Sequence, residues 1–214
     1  MDVRSRHPFW RLKNGLLADY LSLKHDESCE VAVIGGGITG ALVAYHLVQE
    51  GAETVLVDER DVGAGSTAAS TALLQYEVDT ELYELIGKVG EAHAVRSYKL
   101  GLEAIDTLER LSGELKDDCG FKRKASLYLA SRNSDVTQLR KEYDTRKVIG
   151  FHVEYLEVKD IEARASFTAP GAILSYGDAQ VDPFRMTHLL VDEAKKQGLV
   201  STTVPRYPRY KAFG

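Results

Sequence analysis

The sequence predicts an α/β protein, on three observations. Residues 31–34 (Val-Ala-Val-Ile) form a continuous apolar run that leads straight into Gly35-Gly36-Gly37-Ile38-Thr39-Gly40. A stretch with helical spacing follows, and then a second apolar run at residues 54–57 that ends on Asp58. Beyond Gly120 the character changes to short β-like runs separated by charged helical stretches.

Each element has a local reason. Residues 1–28 read as an irregular arm with a short helix, packed on the surface through Phe9, Trp10 and Leu12. The 31–34 run is the pattern of a strand buried on both faces of a parallel sheet. Residues 38–50 place Ile38, Ala41, Leu42, Tyr45 and Val48 on one helical face. Gly51 stands where a helix-ending glycine belongs. With residues 54–57 this makes a β-α-β unit, whose crossover is right-handed. Residues 61–72 (DVGAGSTAASTA) are too small and polar to fill a core, so they predict a loop entering a short helix. Residues 73–78 predict a strand. Residues 81–115 predict helix with a break near Gly90, and Tyr98, Leu102, Ile105, Leu108 and Leu111 form one packing stripe. Strands are expected at 125–130, 153–156 and 172–176, with a charged helix at 135–147. Asp182 and Pro183 fit the N-cap and first position of a helix that runs to about Gln197 and is closed by Gly198. Residues 199–214 (LVSTTVPRYPRYKAFG) look unlike the rest of the chain, and Pro205 and Pro208 exclude a regular central strand.

Composition works by exclusion. A chain of 214 residues, 44% hydrophobic and 28% charged, is enough for a folded core. A formal charge of −5 argues against a general nucleic-acid binder, which carries a basic patch. No apolar run is long enough to predict a membrane span, and the basic N-terminus lacks the apolar centre of a secretory signal. Cys29 and Cys119 stand alone with no C-x-x-C pair, so a reducing, cytoplasmic location is expected. The histidines show no metal-ligand spacing, so no metal is expected, and no G-x-S-x-G elbow is present.

The glycine-rich turn carries the chemistry. G-x-G-x-x-G alone is weak, but here a strand precedes it, a helix follows, and Asp58 closes the second strand. Gly35 permits the tight turn, Gly37 lets the backbone approach a pyrophosphate, and Gly40 lets the helix pack close to the sheet. The helix start near Ile38 and Thr39 offers free amides and a positive dipole end to phosphates. Asp58 suits the ribose hydroxyls of NAD or FAD better than a 2′-phosphate. Spacing alone does not separate those two. The second small-residue loop supplies Ser66, Thr67, Ser70 and Thr71, hydroxyls suited to a long flavin cofactor.

The segments VAVIGGGITGALVAYHL, VLVDERDVGAGSTAAST and GAILSYGDAQVDPFRMTHLLVDEAKKQG resemble the D-amino-acid oxidase/glycine oxidase/sarcosine oxidase superfamily of FAD-dependent oxidoreductases. The resemblance spans roughly residues 8–198 and is strongest over 31–75. PFW…KNGLL and STAASTALLQYEVDTEL resemble a subgroup known only as FAD-dependent oxidoreductases. The resemblance implies a Rossmann-like FAD-binding domain at 28–118 plus 178–198 and part of a mostly antiparallel substrate domain at 119–177. An N-terminal arm at 1–27 and an atypical tail at 199–214 complete the layout. It implies that Gly35, Gly37, Ile38 and Thr39 meet the pyrophosphate, with Gly40 behind them. Asp58 would hold the ribose with Glu59 and Arg60 beside it. Ser66, Thr67, Ser70 and Thr71 would follow the cofactor toward the flavin. The implied reaction is oxidation of a C–N bond in a small-molecule amine or amino acid, with hydride passing to the flavin and electrons onward to oxygen or another acceptor. No catalytic side chain is implied.

Two departures matter. Ala72 and Gln75 stand where sarcosine-oxidase-like members carry basic residues, so an α-carboxylate needs its counter-charge elsewhere. Tyr76 and Glu77 are the nearest polar candidates. Family members also run to nearly twice this length. The expectation is therefore a truncated chain whose residues from 199 on are out of frame or foreign, and which self-associates through exposed apolar surface. Two other readings stay open. One is a non-catalytic fragment that at most binds a dinucleotide. The other is an NAD-dependent dehydrogenase, which leaves the 66–71 loop unexplained.

Overall fold

The structure, a computed structural model, describes residues 8–203. The chain divides into two compact units. Of the described residues, the first takes 8–72, 112–120 and 181–203; the second takes Leu73–Leu111 and Phe121–Gln180. Residues 73–111 thus fall in the second unit, although the sequence groups them with the first. Their packing explains it, because Tyr98 and Ile105 share a core with Ile173 and Ala179.

The first unit is built on a three-stranded parallel sheet, ordered β1 (Val31–Ile34), β2 (Thr54–Asp58), β7 (Val200–Thr203). Val31 pairs with Thr54 and Ile34 with Val57, while Val55 pairs with Val200 and Asp58 with Thr203. The central strand β2 is the one buried along its length. The expectation of a β1 buried on both faces is corrected. Its ladder partner among the described residues is β2 alone, and alternate residues Ala32 and Ile34 are exposed.

Helix α2 (Ile38–Gln49) joins β1 to β2 and buries Ala41, Ala44, Tyr45 and Val48, a helical stripe. It packs against α7 (Pro183–Lys196), which buries Phe184, Leu190, Val191 and Ala194. As its sequence predicts, α7 starts at Asp182, whose side chain accepts from the Arg185 amide at 3.0 Å, with Pro183 in the first turn.

The tail and the arm both correct the sequence reading. Residues 199–203 are not foreign, since Leu199 is buried and residues 200–203 pair in register with β2. The rest of the tail, 204–214, lies outside the described residues. The arm contains α1 (Phe9–Asn14) as expected, but Phe9 and Leu12 are exposed. Polar groups anchor it instead. Trp10 Nε1 donates to the Ser70 carbonyl at 2.8 Å, and Lys13 Nζ and Asn14 Nδ2 reach Asp182 Oδ2 at 3.1 and 2.9 Å. Positions 10, 13 and 14 share one face of a helix. Further on, Ser22 forms a parallel bridge with Thr203, and the Leu23 amide donates to the Thr203 carbonyl at 2.9 Å.

The second unit carries an antiparallel sheet. Its β6 (Ala172–Gln180) pairs with β4 (Lys122–Leu129), with β5 (Val153–Leu156) and with the two-residue β3 (Leu73–Leu74). The strand expected over 73–78 stops early because the Tyr76 amide leaves the ladder for Asp178 Oδ1, at 3.1 Å. Its α-helices are α3 (Leu82–Val89), α4 (Glu91–Glu114), α5 (Val136–Ile149) and α6 (Val158–Arg164), α6 without a signal at the sequence level. The rings of Tyr76, Tyr98 and Phe151 meet with centroids 5.6 to 6.0 Å apart, at the centre of this unit's core.

Candidate functional site

The turn between β1 and α2 is built by close backbone approach. Gly35 has φ +108°, a conformation that side chains disfavour, and its amide donates to the Val57 carbonyl at 2.7 Å. A Cβ on Gly40 would stand 1.8 Å from the Gly35 carbonyl oxygen and 3.4 Å from Val33 Cγ1. No side chain fits there, so α2 starts directly against the end of β1. A Cβ on Gly37 would stand 3.1 Å from Thr67 Oγ1. The Ile38 amide donates to that same hydroxyl at 3.0 Å. Ala41, bonded to the Gly37 carbonyl at 2.9 Å, is the first residue to enter the intrahelical ladder. The amides of Thr39 and Gly40 therefore have no acceptor within α2, and they sit at its positive end.

Asp58 ties the second strand to this turn. Its Oδ2 accepts from the Gly36 amide at 2.8 Å, and its Oδ1 accepts from the Arg60 amide at 2.8 Å. Gly36 is a contributor that the fingerprint spacing does not single out. Each carboxylate oxygen keeps lone-pair capacity for a hydroxyl donor. Glu59 and Arg60 are exposed beside it, with Arg60 Nε 3.9 Å from both Asp58 Oδ1 and Glu59 Oε1.

The structure brings Gly35, Gly37, Ile38, Thr39, Gly40, Asp58 and Thr67 together and divides the rest of the second loop. Thr67 lies in a 3₁₀ turn (Ser66–Ala69) and is buried against the start of α2. Ser66 and Thr71 are exposed. Ser70 is occupied locally, because its hydroxyl accepts from the Ala72 amide at 3.1 Å and its carbonyl holds Trp10.

Sequence reasoning missed two polar groupings. In the first unit, buried His188 shares a 2.8 Å hydrogen bond between Nδ1 and Tyr20 Oη and meets the Phe184 ring edge-on. Burial pushes its pKa down to about 4, so it is neutral at pH 7. In the second unit, Glu142 and Arg146 are buried on a helix that the sequence marks only as charged. Glu142 accepts from the Leu82 and Tyr83 amides at 2.9 and 3.1 Å, capping α3 from outside, and from Arg146 Nε at 2.5 Å. Arg146 Nη1 also reaches Glu77 Oε1 at 2.8 Å. Glu77, Ser126, Tyr128 and Arg146 line a cavity of about 280 Å³. Nearby, Asp178 has its pKa raised, by burial first and by Glu77 among the charges. Cys119 is buried, and burial pushes its thiol up to about 12, so it is no nucleophile at neutral pH.

Comparison with known proteins agrees with this geometry. The family described as "FAD dependent oxidoreductase" (DAO) matches residues 30–201. Glycine oxidase of Bacillus subtilis (strain 168) is 33% identical over 171 residues, which is 79% of this chain and 43% of that protein. Among solved structures, L-amino acid deaminase from Proteus vulgaris superposes with TM-score 0.69 at 17% identity, covering 87% of this chain and 47% of that one. Glycine oxidase from Bacillus cereus ATCC 14579 gives TM-score 0.61 at 20% identity, covering 82% and 46%. The chain spans less than half the length of each of these relatives. With the family matched over most of its length, the chain belongs to the DAO family of FAD-dependent oxidoreductases.

Proposed function

We propose that this chain binds FAD at the turn of residues 35–40 and forms the cofactor-binding part of an oxidoreductase acting on the C–N bond of a small amine or amino acid. The observation that carries the reading is the space at Gly40. An α2 that begins against the Gly35 carbonyl puts its unpaired first-turn amides at the end of the parallel sheet, where a pyrophosphate is held in such folds. The residues fit the group. Thr39 and Gly40 offer amides to the phosphates, Gly37 has no side chain to crowd the Thr67 hydroxyl that holds the start of α2, and Asp58 offers two oxygens to a ribose. Ser66 and Thr71 are exposed on the neighbouring loop. FAD, when bound, supplies the hydride acceptor, which no amino-acid side chain provides. Asp58, fixed by Gly36 and Arg60, orients the ribose end, and Thr67 keeps the start of α2 in place. The second unit is proposed to be part of the substrate domain. The free thiols of Cys29 and Cys119 suit a reducing, cytoplasmic setting.

The test is reduction of the FAD-loaded chain under anaerobic conditions by a panel of amines, N-methyl amino acids and α-amino acids. Bleaching of the flavin band by members of one class supports the oxidoreductase reading and gives the substrate class. Retained flavin with no bleaching by any member would leave the binding role and remove catalysis by this chain.

A further inference from the structure

Buried His188 leaves one ring nitrogen open. The residue is 7% exposed, its Nδ1 lies 2.8 Å from Tyr20 Oη, and its Nε2 has no hydrogen-bond partner among the described residues. The proton positions follow from the surroundings. Burial raises the pKa of the Tyr20 phenol, which keeps its proton, and holds that of His188 down at about 4. A neutral ring that accepts from Tyr20 at Nδ1 carries its own proton on Nε2. The reverse tautomer would leave two groups unpaired instead of one, the Tyr20 hydroxyl proton and Nε2. Nε2–H is thus a buried donor without an acceptor, a costly state unless a bound molecule supplies one.

Nε2 faces a cavity of about 160 Å³ between the arm, the loop after β2 and α7. A Cβ on Gly63 would stand 3.7 Å from Nε2, and Val62 and Ala64 on either side of that glycine line the cavity. Two charges line the same space, Arg11 of α1 and Asp61 of the loop, and neither is ion-paired among the described residues. Buried Val62 and Phe184 add an apolar wall. These groups select one kind of ligand. Nε2–H and the Arg11 guanidinium suit a carboxylate, and Asp61 suits an ammonium. A simple carboxylate would face Asp61 with no cation for it, and a simple amine would leave Nε2–H without an acceptor. A zwitterion satisfies all three. The volume is that of about five waters at about 30 Å³ each, which admits a small α-amino acid and little more. We propose that this cavity is a binding site for a small apolar α-amino acid, with its carboxylate on His188 Nε2 and Arg11 and its ammonium toward Asp61. None of these residues belongs to the turn of residues 35–40.

Proton–nitrogen correlation spectra of the imidazole rings, recorded on the full chain without added FAD, test it. L-Alanine should shift the Nε2 resonance of His188 and leave that of exposed His46 in place. Propionate and ethylamine, which each lack one of its charges, should bind at least about fivefold more weakly, and so should L-alanine to Arg11→Gln or to Asp61→Asn. Asp79→Asn, at the cavity of the second unit, should leave binding unchanged. No shift of His188 Nε2 with L-alanine would overturn the proposal and leave water alone to meet that nitrogen. So would propionate binding as tightly as L-alanine, undiminished binding by both charge variants, or loss of binding in Asp79→Asn, which would move the site to the second unit. The readout involves neither flavin nor turnover, so its failure is distinct from failure of the FAD proposal.

Discussion

At the scale of single residues, Gly40, Asp58 and Glu142 show how much one position can hold. Gly40 is needed because any side chain would overlap the Gly35 carbonyl. Asp58 joins β2 to the glycine turn through the Gly36 amide, and its other oxygen accepts from the Arg60 amide just beyond the strand. Glu142 does comparable work in the second unit, where it satisfies two first-turn amides of α3 and pairs with buried Arg146. Glu142→Ala leaves those amides bare and weakens the pairing of a buried guanidinium, so it should cost about 3–5 kcal/mol of stability. Urea unfolding at pH 7 measures this. A loss below about 1 kcal/mol would mean that the cap and the pair contribute little. Glycine-motif positions are legible in the sequence because their constraint is local. Glu142 is not, since positions 142 and 146 read as an ordinary i,i+4 surface pair and only the amides of α3 make them interior groups.

At the scale of elements, the arm and α7 act together. His188 of α7 is the hinge of that contact, with Tyr20 on its Nδ1, Asp61 favouring its charged form, and Arg11 and Lys195 opposing it. Its folded-state pKa of about 4 lies below the usual 6.5, so between those values the unfolded chain binds the proton first. The stability this burial provides is complete above about pH 6.5 and is lost as pH falls toward 4, about 3 kcal/mol at most. Chemical denaturation of the parent and of His188→Gln from pH 7.5 to about pH 4.5 should show the parent falling faster. Parallel curves would contradict the assignment. The β-α-β unit and α7 are legible in the sequence because run length, glycine placement and the Asp182-Pro183 start are short-range signals. The arm's anchors are not, since Lys13 meets its partner 169 positions away. Strand β7 is hidden for a related reason. Val-Ser-Thr-Thr has no apolar run of its own, and its extended state comes from pairing with β2. Helix α6 is only seven residues long, and its start rests on reciprocal bonds between Glu157 and Asp160.

At the scale of the whole molecule, the chain comprises a parallel-sheet unit with a dinucleotide-type turn and an antiparallel unit with a buried ionic cluster. The class of the first unit could be read from the apolar run of β1, the glycine turn, the α2 stripe and the second run ending on Asp58. The division of the chain could not, because residues 73–111 join the second unit by packing that no local pattern announces. The central claim is that the turn of residues 35–40 holds FAD. The most direct measurement is the absorption spectrum of the purified chain after incubation with FAD and desalting, made in parallel for Asp58→Ala. The account predicts a flavin band retained by the parent chain, and an FAD affinity about tenfold or more weaker when Asp58 is replaced, from the loss of charge-assisted bonds. A parent chain that emerges colourless, or one that holds flavin equally well without Asp58, would contradict it.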